Sequence, residues 1–218
     1  MNAHDALPSS MTRLNDSNYR KRVGIVIFDD VEVLDFCGPF EVFSVTRQFE
    51  HRRREEASPF EVMLVAHRMS AVTTTGGMKV IPDVTFENCP PLDILVVAGG
   101  WGTRALMHDQ IMLSFVRAHV GRGDTVASVC TGALVLAASG VLDGLRATTH
   151  WAALDLMQSQ FPQVTVESHS RVVSHGKVVT SAGIAAGIDM ALQLVAQHCG
   201  DTVARLTARY MEYPYTEQ

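Results

Sequence analysis

A chain of 218 residues that is 47% hydrophobic and 19% charged carries enough apolar material for one substantial core and too little charge to stay unfolded. With 18 Lys and Arg against 23 Asp and Glu, the net charge is −5, which argues against a nucleic-acid partner. No stretch approaches the roughly 20 apolar residues of a membrane span, so no membrane association is expected.

Residues 1–21 are polar, lack the apolar segment of a secretory signal and read as a flexible extension; 22–213 read as one domain and 214–218 as a tail. The four cysteines, Cys37, Cys89, Cys130 and Cys199, form no CxxC pair and no metal-ligand spacing. Free thiols in a reducing cytoplasm, with no metal, are the expectation. The basic run His51 to Arg54 meets Glu55 and Glu56 at once and reads as a solvated loop.

Val23 to Phe28 is a continuous β-branched run, as in a strand covered on both faces. A helix is expected over Pro39 to Gln48, started by Gly38-Pro39. Strands follow at Phe60 to Ala66 and Ile94 to Ala98, with the Thr-rich segment around Thr73 to Ile81 as short strands or loops. Leu113 to Val120 reads as a helix closed by Gly121 and Gly123. Thr125 to Val129 is a strand, and Thr131 to Ser139 an almost wholly apolar, buried helix. Trp151 to Phe161 is helical, Val164 to Glu167 a strand, and Arg171 to Ser181 a hairpin turning at His175-Gly176. Ile184, Ile188, Leu192, Val195 and Cys199 share one helical face, and a last helix runs from Asp201 to Met211. Buried strands alternating with helices predict an α/β fold, a mostly parallel sheet with helices on both faces.

Cys130 stands where a β-branched strand meets small and apolar residues, with Ser128 and Gly132 slim enough for a nucleophile elbow. A helix N-terminus there favours a thiolate. The competing reading is a small buried core residue. Since ligands in such folds bind at the carboxyl ends of strands, Cys130, Gly99-Gly100 and the residues after Phe28 are expected on one rim. The N–H groups of Gly100 and Thr131 are candidate anion donors, although Gly99-Gly100 also suits an ordinary turn. Asp35, in an apolar stretch, is either a protonated or paired acid beside the thiol or a helix N-cap. His150 is the histidine best placed to partner a cysteine, or a packed, hydrogen-bonded residue. Cys37 reads as a structural thiol.

Leu34-Asp35-Phe36-Cys37-Gly38-Pro39, Ala98-Gly99-Gly100-Trp101-Gly102, Ser128-Val129-Cys130-Thr131-Gly132 and Ala147-Thr148-Thr149-His150-Trp151 resemble, in order, motifs of the DJ-1/PfpI superfamily. Together with Ser181 to Asp189 they resemble the isocyanide hydratase subgroup most. The resemblance spans about Arg22 to Tyr213. It implies a flavodoxin-like sandwich related to class I glutamine amidotransferases, a homodimer, no cofactor and a small-molecule substrate. It further implies Cys130 as nucleophile, Asp35 as acid/base and Thr131 as a hydrogen-bonding neighbour. Gly99, Gly100, Trp101, His150 and Ile184 would line the substrate site, with Ile184 opening the helix beside the nucleophile.

Peptidase-like members of the superfamily carry His directly after the nucleophile, where this chain has Thr131, which disfavours proteolysis. DJ-1 carries Glu where Asp35 stands, and the hydratases carry Thr at Cys37 and a smaller residue at Trp101. Isonitrile hydration to an N-formamide is the expected activity. A ligand- or redox-sensing protein and a glyoxalase-type enzyme are the alternatives. Similar domains precede AraC-type DNA-binding modules, but with the chain ending at Gln218 no such module is expected here.

Overall fold

The computed structural model describes residues 19–215; the expected extension falls almost wholly outside them, as does the end of the tail. A seven-stranded sheet in the order β10-β11-β7-β6-β1-β2-β5 forms its centre. The strands are β1 (Lys21–Val26), β2 (Phe60–Ala66), β5 (Val84–Thr85), β6 (Ile94–Val97), β7 (Thr125–Val129), β10 (Val172–His175) and β11 (Val178–Ser181). All neighbours pair parallel except the β10–β11 hairpin. Two small ladders, β3 (Val72–Thr73) with β4 (Lys79–Val80) and β8 (Arg146–Ala147) with β9 (Thr165–Val166), lie outside the sheet. The predicted α/β architecture is the one observed.

Helices cover both faces. On one lie α1 (Val33–Val45), α6 (Ala186–Cys199) and α7 (Asp201–Tyr210), whose Phe36, Phe43, Met190, Leu194 and Val203 share a core with Val23, Ile25 and Val129. On the other, α3 (Gln110–Gly121), α4 (Gly132–Ala138) and α5 (Leu154–Gln160) pack Met112, Leu134 and Met157 against Val26, Leu95 and Val126. A further short helix, α2 (Thr103–Leu106), leads into α3. Alternate residues of one strand thus serve opposite cores, which is why the central strands are apolar throughout.

The first helix departs from expectation. It starts at Val33, well ahead of Gly38-Pro39, and holds Pro39 inside. Asp35, Pro39, Val42 and Phe43 are buried at helical spacing, so proline serves here as a core-facing residue and Asp35 shares its stripe. The helix N-cap is Glu32, not Asp35, which removes the capping role for Asp35. The basic run is also more tied down than expected. Arg52 bridges Glu55 and Glu56, and Arg53 binds Glu50 and stacks over the Tyr210 ring at 3.6 Å.

Candidate active site

β7 runs out at Val129, and Cys130 turns the chain at φ +57 into Thr131, the N-cap of α4. A non-glycine residue in the left-handed region is uncommon and persists only when its surroundings hold it. Here both backbone groups of Cys130 are engaged. Its N–H donates to the carbonyls of Ser181 and Ala182, each at 3.2 Å, and its carbonyl accepts the Thr149 hydroxyl at 2.8 Å. Gly132 completes the elbow, because a side chain there would run into the Val97 carbonyl of β6.

The lead-in to α1 is stitched to the loop after β6. Val31 forms a bridge with Gly100, and the Glu32 N–H donates to the Gly99 carbonyl at 2.9 Å. This brings Asp35, in the first turn of α1, under the elbow. Gly99 donates its N–H to Asp35 Oδ2 at 3.0 Å. A Cβ on Gly99 would sit 2.6 Å from the Thr131 amide nitrogen, 2.7 Å from Asp35 Oδ2 and 2.8 Å from Cys130 Cβ, so only glycine admits all three.

Asp35 is fully buried, and burial pushes its carboxyl up to about 7, against the opposing pull of the Gly99 N–H and a hydrogen bond with Cys130. Glu32 adds a smaller push in the same direction. Cys130, at 6% exposure, is pushed up to about 12, first by burial and then by the Asp35 charge. The expected stabilisation of a free thiolate at the helix start is therefore outweighed. The end of a seven-residue helix offers a partial charge, whereas desolvation and a neighbouring carboxylate oppose a second full negative charge.

The anion donors also differ from expectation. The N–H groups of Thr131 and Ile184 are the ones that favour the charged sulfur. Gly100 is not free to help, because its N–H donates to Thr131 Oγ1 at 3.0 Å. The Thr131 hydroxyl in turn reaches the Gly100 carbonyl at 3.1 Å, and the Thr103 hydroxyl joins the same cluster at 3.1 Å. Thr131 thus contributes its backbone to the sulfur and its side chain to the loop that carries Gly99.

Ile184 does not open α6. It lies in the turn before Ala186, at φ +53, a strained conformation for a β-branched residue. The His150 ring lies against Gly183, and its Nδ1 accepts the Ala152 N–H at 3.2 Å. That bond leaves any ring proton of neutral His150 on Nε2. Trp101 is 69% exposed with the Arg104 guanidinium 4.8 Å over its ring, and Trp151 is 77% exposed beside His150. Cys37 is half-buried with its thiol pushed up by burial, in keeping with a structural role.

Sequence reasoning missed Thr149, Thr103 and the Ile184 N–H. The first two are ordinary residues until the fold points their hydroxyls at Cys130 O and Thr131. The third is a backbone group, which no side-chain pattern reports. Taken together, a buried thiol, a carboxyl able to exchange a proton with it and two N–H donors suit nucleophilic addition to an electrophilic carbon.

Among the described residues no helix is long and apolar enough to cross a membrane, and no cluster of His, Cys, Asp and Glu is fit to hold a metal ion. The isonitrile hydratase of Pseudomonas putida is 38% identical over 192 residues, covering 88% of this chain and 78% of that protein. The HTH-type transcriptional regulator GbdR of Pseudomonas aeruginosa is 27% identical over 179 residues. That match covers 82% of this chain but 47% of the regulator, so the chain spans about half that relative's length. Among solved structures, a ThiJ/PfpI family protein from Pseudomonas syringae superposes with a TM-score of 0.78 at 28% identity, covering 98% of this chain and 84% of that one. Drosophila melanogaster DJ-1beta gives 0.74 at 20% identity, covering 90% of this chain and all of its own, a likeness of fold. A family model described as the DJ-1/PfpI family matches residues 21–197, from the start of β1 into α6, and the chain belongs to that family.

Proposed function

We propose that the protein hydrates a small isocyanide to the matching N-formamide, with Cys130 as nucleophile and Asp35 as its proton partner. The buried Asp35–Cys130 pair carries this reading, joined by the likeness to a hydratase over most of both chains. Above about pH 7 the pair holds one proton, since the carboxyl titrates at about 7 and the thiol at about 12. Passing that proton from sulfur to carboxylate leaves the net charge of the buried site unchanged, so it avoids the desolvation cost of a second ion.

As Sγ bonds to the terminal carbon of R–N≡C, the thiol proton moves to Asp35 and from there to that carbon. The product is a thioimidate, R–N=CH–S–Cys. Water then adds its oxygen to the same carbon, giving one proton to the nitrogen and the other to Asp35. Collapse to the carbonyl breaks the C–S bond and releases R–NH–CHO and a thiolate, which recovers its proton from Asp35. The N–H groups of Thr131 and Ile184 hold the charge on sulfur as it departs. No step calls for a cofactor. The same reading takes the protein as a cytoplasmic homodimer, carried over from the family resemblance.

A panel of small aryl and alkyl isocyanides, assayed for formamide with the wild type and Cys130→Ala, tests the proposal. Formamide from the wild type alone is expected. Turnover of methylglyoxal with none of any isocyanide would overturn it. The regulator relative favours a second reading, a ligand-sensing domain without turnover. Binding of an electrophile at Cys130 with no product released would select that one.

A further inference from the structure

Cys130 donates its N–H to the carbonyls of Ser181 and Ala182, each at 3.2 Å, which seats the following turn beside the sulfur, and there Ile184, whose N–H favours the charged sulfur, adopts a left-handed backbone conformation. Such a conformation persists only when the chain on either side is fixed. Arg171 fixes both sides. Upstream, its carbonyl accepts the Ala182 N–H at 2.8 Å. Downstream, its guanidinium donates to Asp189 Oδ2, from Nε at 2.8 Å and from Nη2 at 2.5 Å.

Asp189 sits in the first turn of α6 with its side chain 15% exposed. Its second oxygen, Oδ1, accepts the Tyr213 hydroxyl at 3.0 Å. Tyr213 follows α7, and its own N–H is tied to the Ala208 carbonyl at 2.9 Å. Between the two anchors the chain is a run of single turns. Ala186 N–H donates to Gly183 O at 3.2 Å, Gly187 N–H to Ile184 O at 3.1 Å and Ile188 N–H to Ala185 O at 3.1 Å. The His150 ring packs against Gly183 and the Val129 side chain against Gly187, so the turn that carries Ile184 is closely packed on both sides.

We infer that Arg171, Asp189 and Tyr213 form a clamp that positions the Ile184 N–H on Cys130, so that the segment after α7 governs how well the charged sulfur is held. The inference rests on reading Cys130 as a reactive thiol, but not on the identity of its substrate. All three clamp members are positioning residues. Asp35 and, beyond it, Glu32 are the titratable groups that act on the pair from α1 and its lead-in, and no clamp substitution alters them.

The test is the rate of Cys130 alkylation by iodoacetamide as a function of pH, read on the Cys130 peptide by mass spectrometry so that Cys37, Cys89 and Cys199 do not contribute. Tyr213→Phe deletes one hydroxyl, and Asp189→Asn weakens the grip of Arg171 while keeping its shape. Each is expected to slow alkylation about threefold to tenfold near pH 8 and to move the profile upward, because part of a hydrogen bond to a charged sulfur is lost. Arg171→Lys, which keeps the charge but not the fork, should fall between. A profile identical to the wild type in Tyr213→Phe, whatever its melting temperature, would overturn the clamp. Should Asp189→Asn fail to fold, Tyr213→Phe decides alone. A wild type that turns over no isocyanide leaves this measurement intact, so the two readings fail separately.

Discussion

Gly99 donates its N–H to Asp35 Oδ2 at 3.0 Å, while Asp35 Oδ1 lies buried with no hydrogen-bond partner among the described residues. The Gly99 N–H holds Oδ2 as an acceptor and favours the charged carboxylate, whereas burial of the whole group favours the protonated form and prevails.

Turnover should depend on the first proton of the pair. Below about pH 7 Asp35 is protonated and leaves the Cys130 thiol without a base. The logarithm of kcat/KM should rise with pH, level off above about 7 and stay level through pH 9, since the thiol itself titrates at about 12. A pH–rate series with a fast isocyanide checks this. A flat profile from pH 5 to 9 would remove Asp35 from the proton path.

Asp35→Asn should cost at least about 100-fold in kcat, the usual worth of a positioned acid/base, while leaving the fold in place. It should also change stability in a defined direction. The folded carboxyl titrates near 7 against 3.8 for the ordinary group, so the native state binds more protons between those values. Stability associated with Asp35 is fully present below about pH 4 and is lost as pH rises through about 7, at a cost of up to about 4 kcal/mol. The variant lacks that loss. Denaturant titrations at acid and neutral pH should show Asp35→Asn gaining on the wild type as pH rises.

Gly99→Ala places a methyl group against the Thr131 amide, the Asp35 carboxyl and Cys130 Cβ at once. Two of these neighbours are backbone or Cβ atoms that cannot swing aside. A destabilisation of about 1–3 kcal/mol by chemical denaturation is expected, with a larger proportional loss of activity than of stability.

Thr131→Val keeps the shape and the backbone N–H that faces Cys130 but deletes the hydroxyl. The Gly100 N–H and the Thr103 hydroxyl then lose a partner, at a cost of about 1–3 kcal/mol. Because the sulfur is held by the backbone of residue 131, Cys130 alkylation at fixed pH should change less than in Tyr213→Phe. Comparison of the two variants by alkylation rate and melting temperature checks this.

Local pattern was enough to recover several elements with their limits, among them Phe60–Ala66 and Thr125–Val129. It failed at α1, where Gly38-Pro39 looked like a helix start. Proline is so placed because its ring falls on the buried stripe with Val42 and Phe43, a tertiary reason that local propensity does not contain. It failed again at Gly100, whose N–H is taken by the Thr131 hydroxyl, and at Ile184, whose contribution lies in its backbone.

What the amino-acid order determined by itself was the α/β layering and the elbow at Cys130. Both arise from neighbours along the chain, a β-branched run, slim residues and a buried helix. What only the tertiary structure decided was the charge state of the site. Asp35 and Gly99 are 64 residues apart, and the elbow depends on carbonyls from the end of β11 and a hydroxyl from the segment after β8. Burial and hydrogen-bond partners set a proton's affinity, and both are sums over residues that only folding brings together.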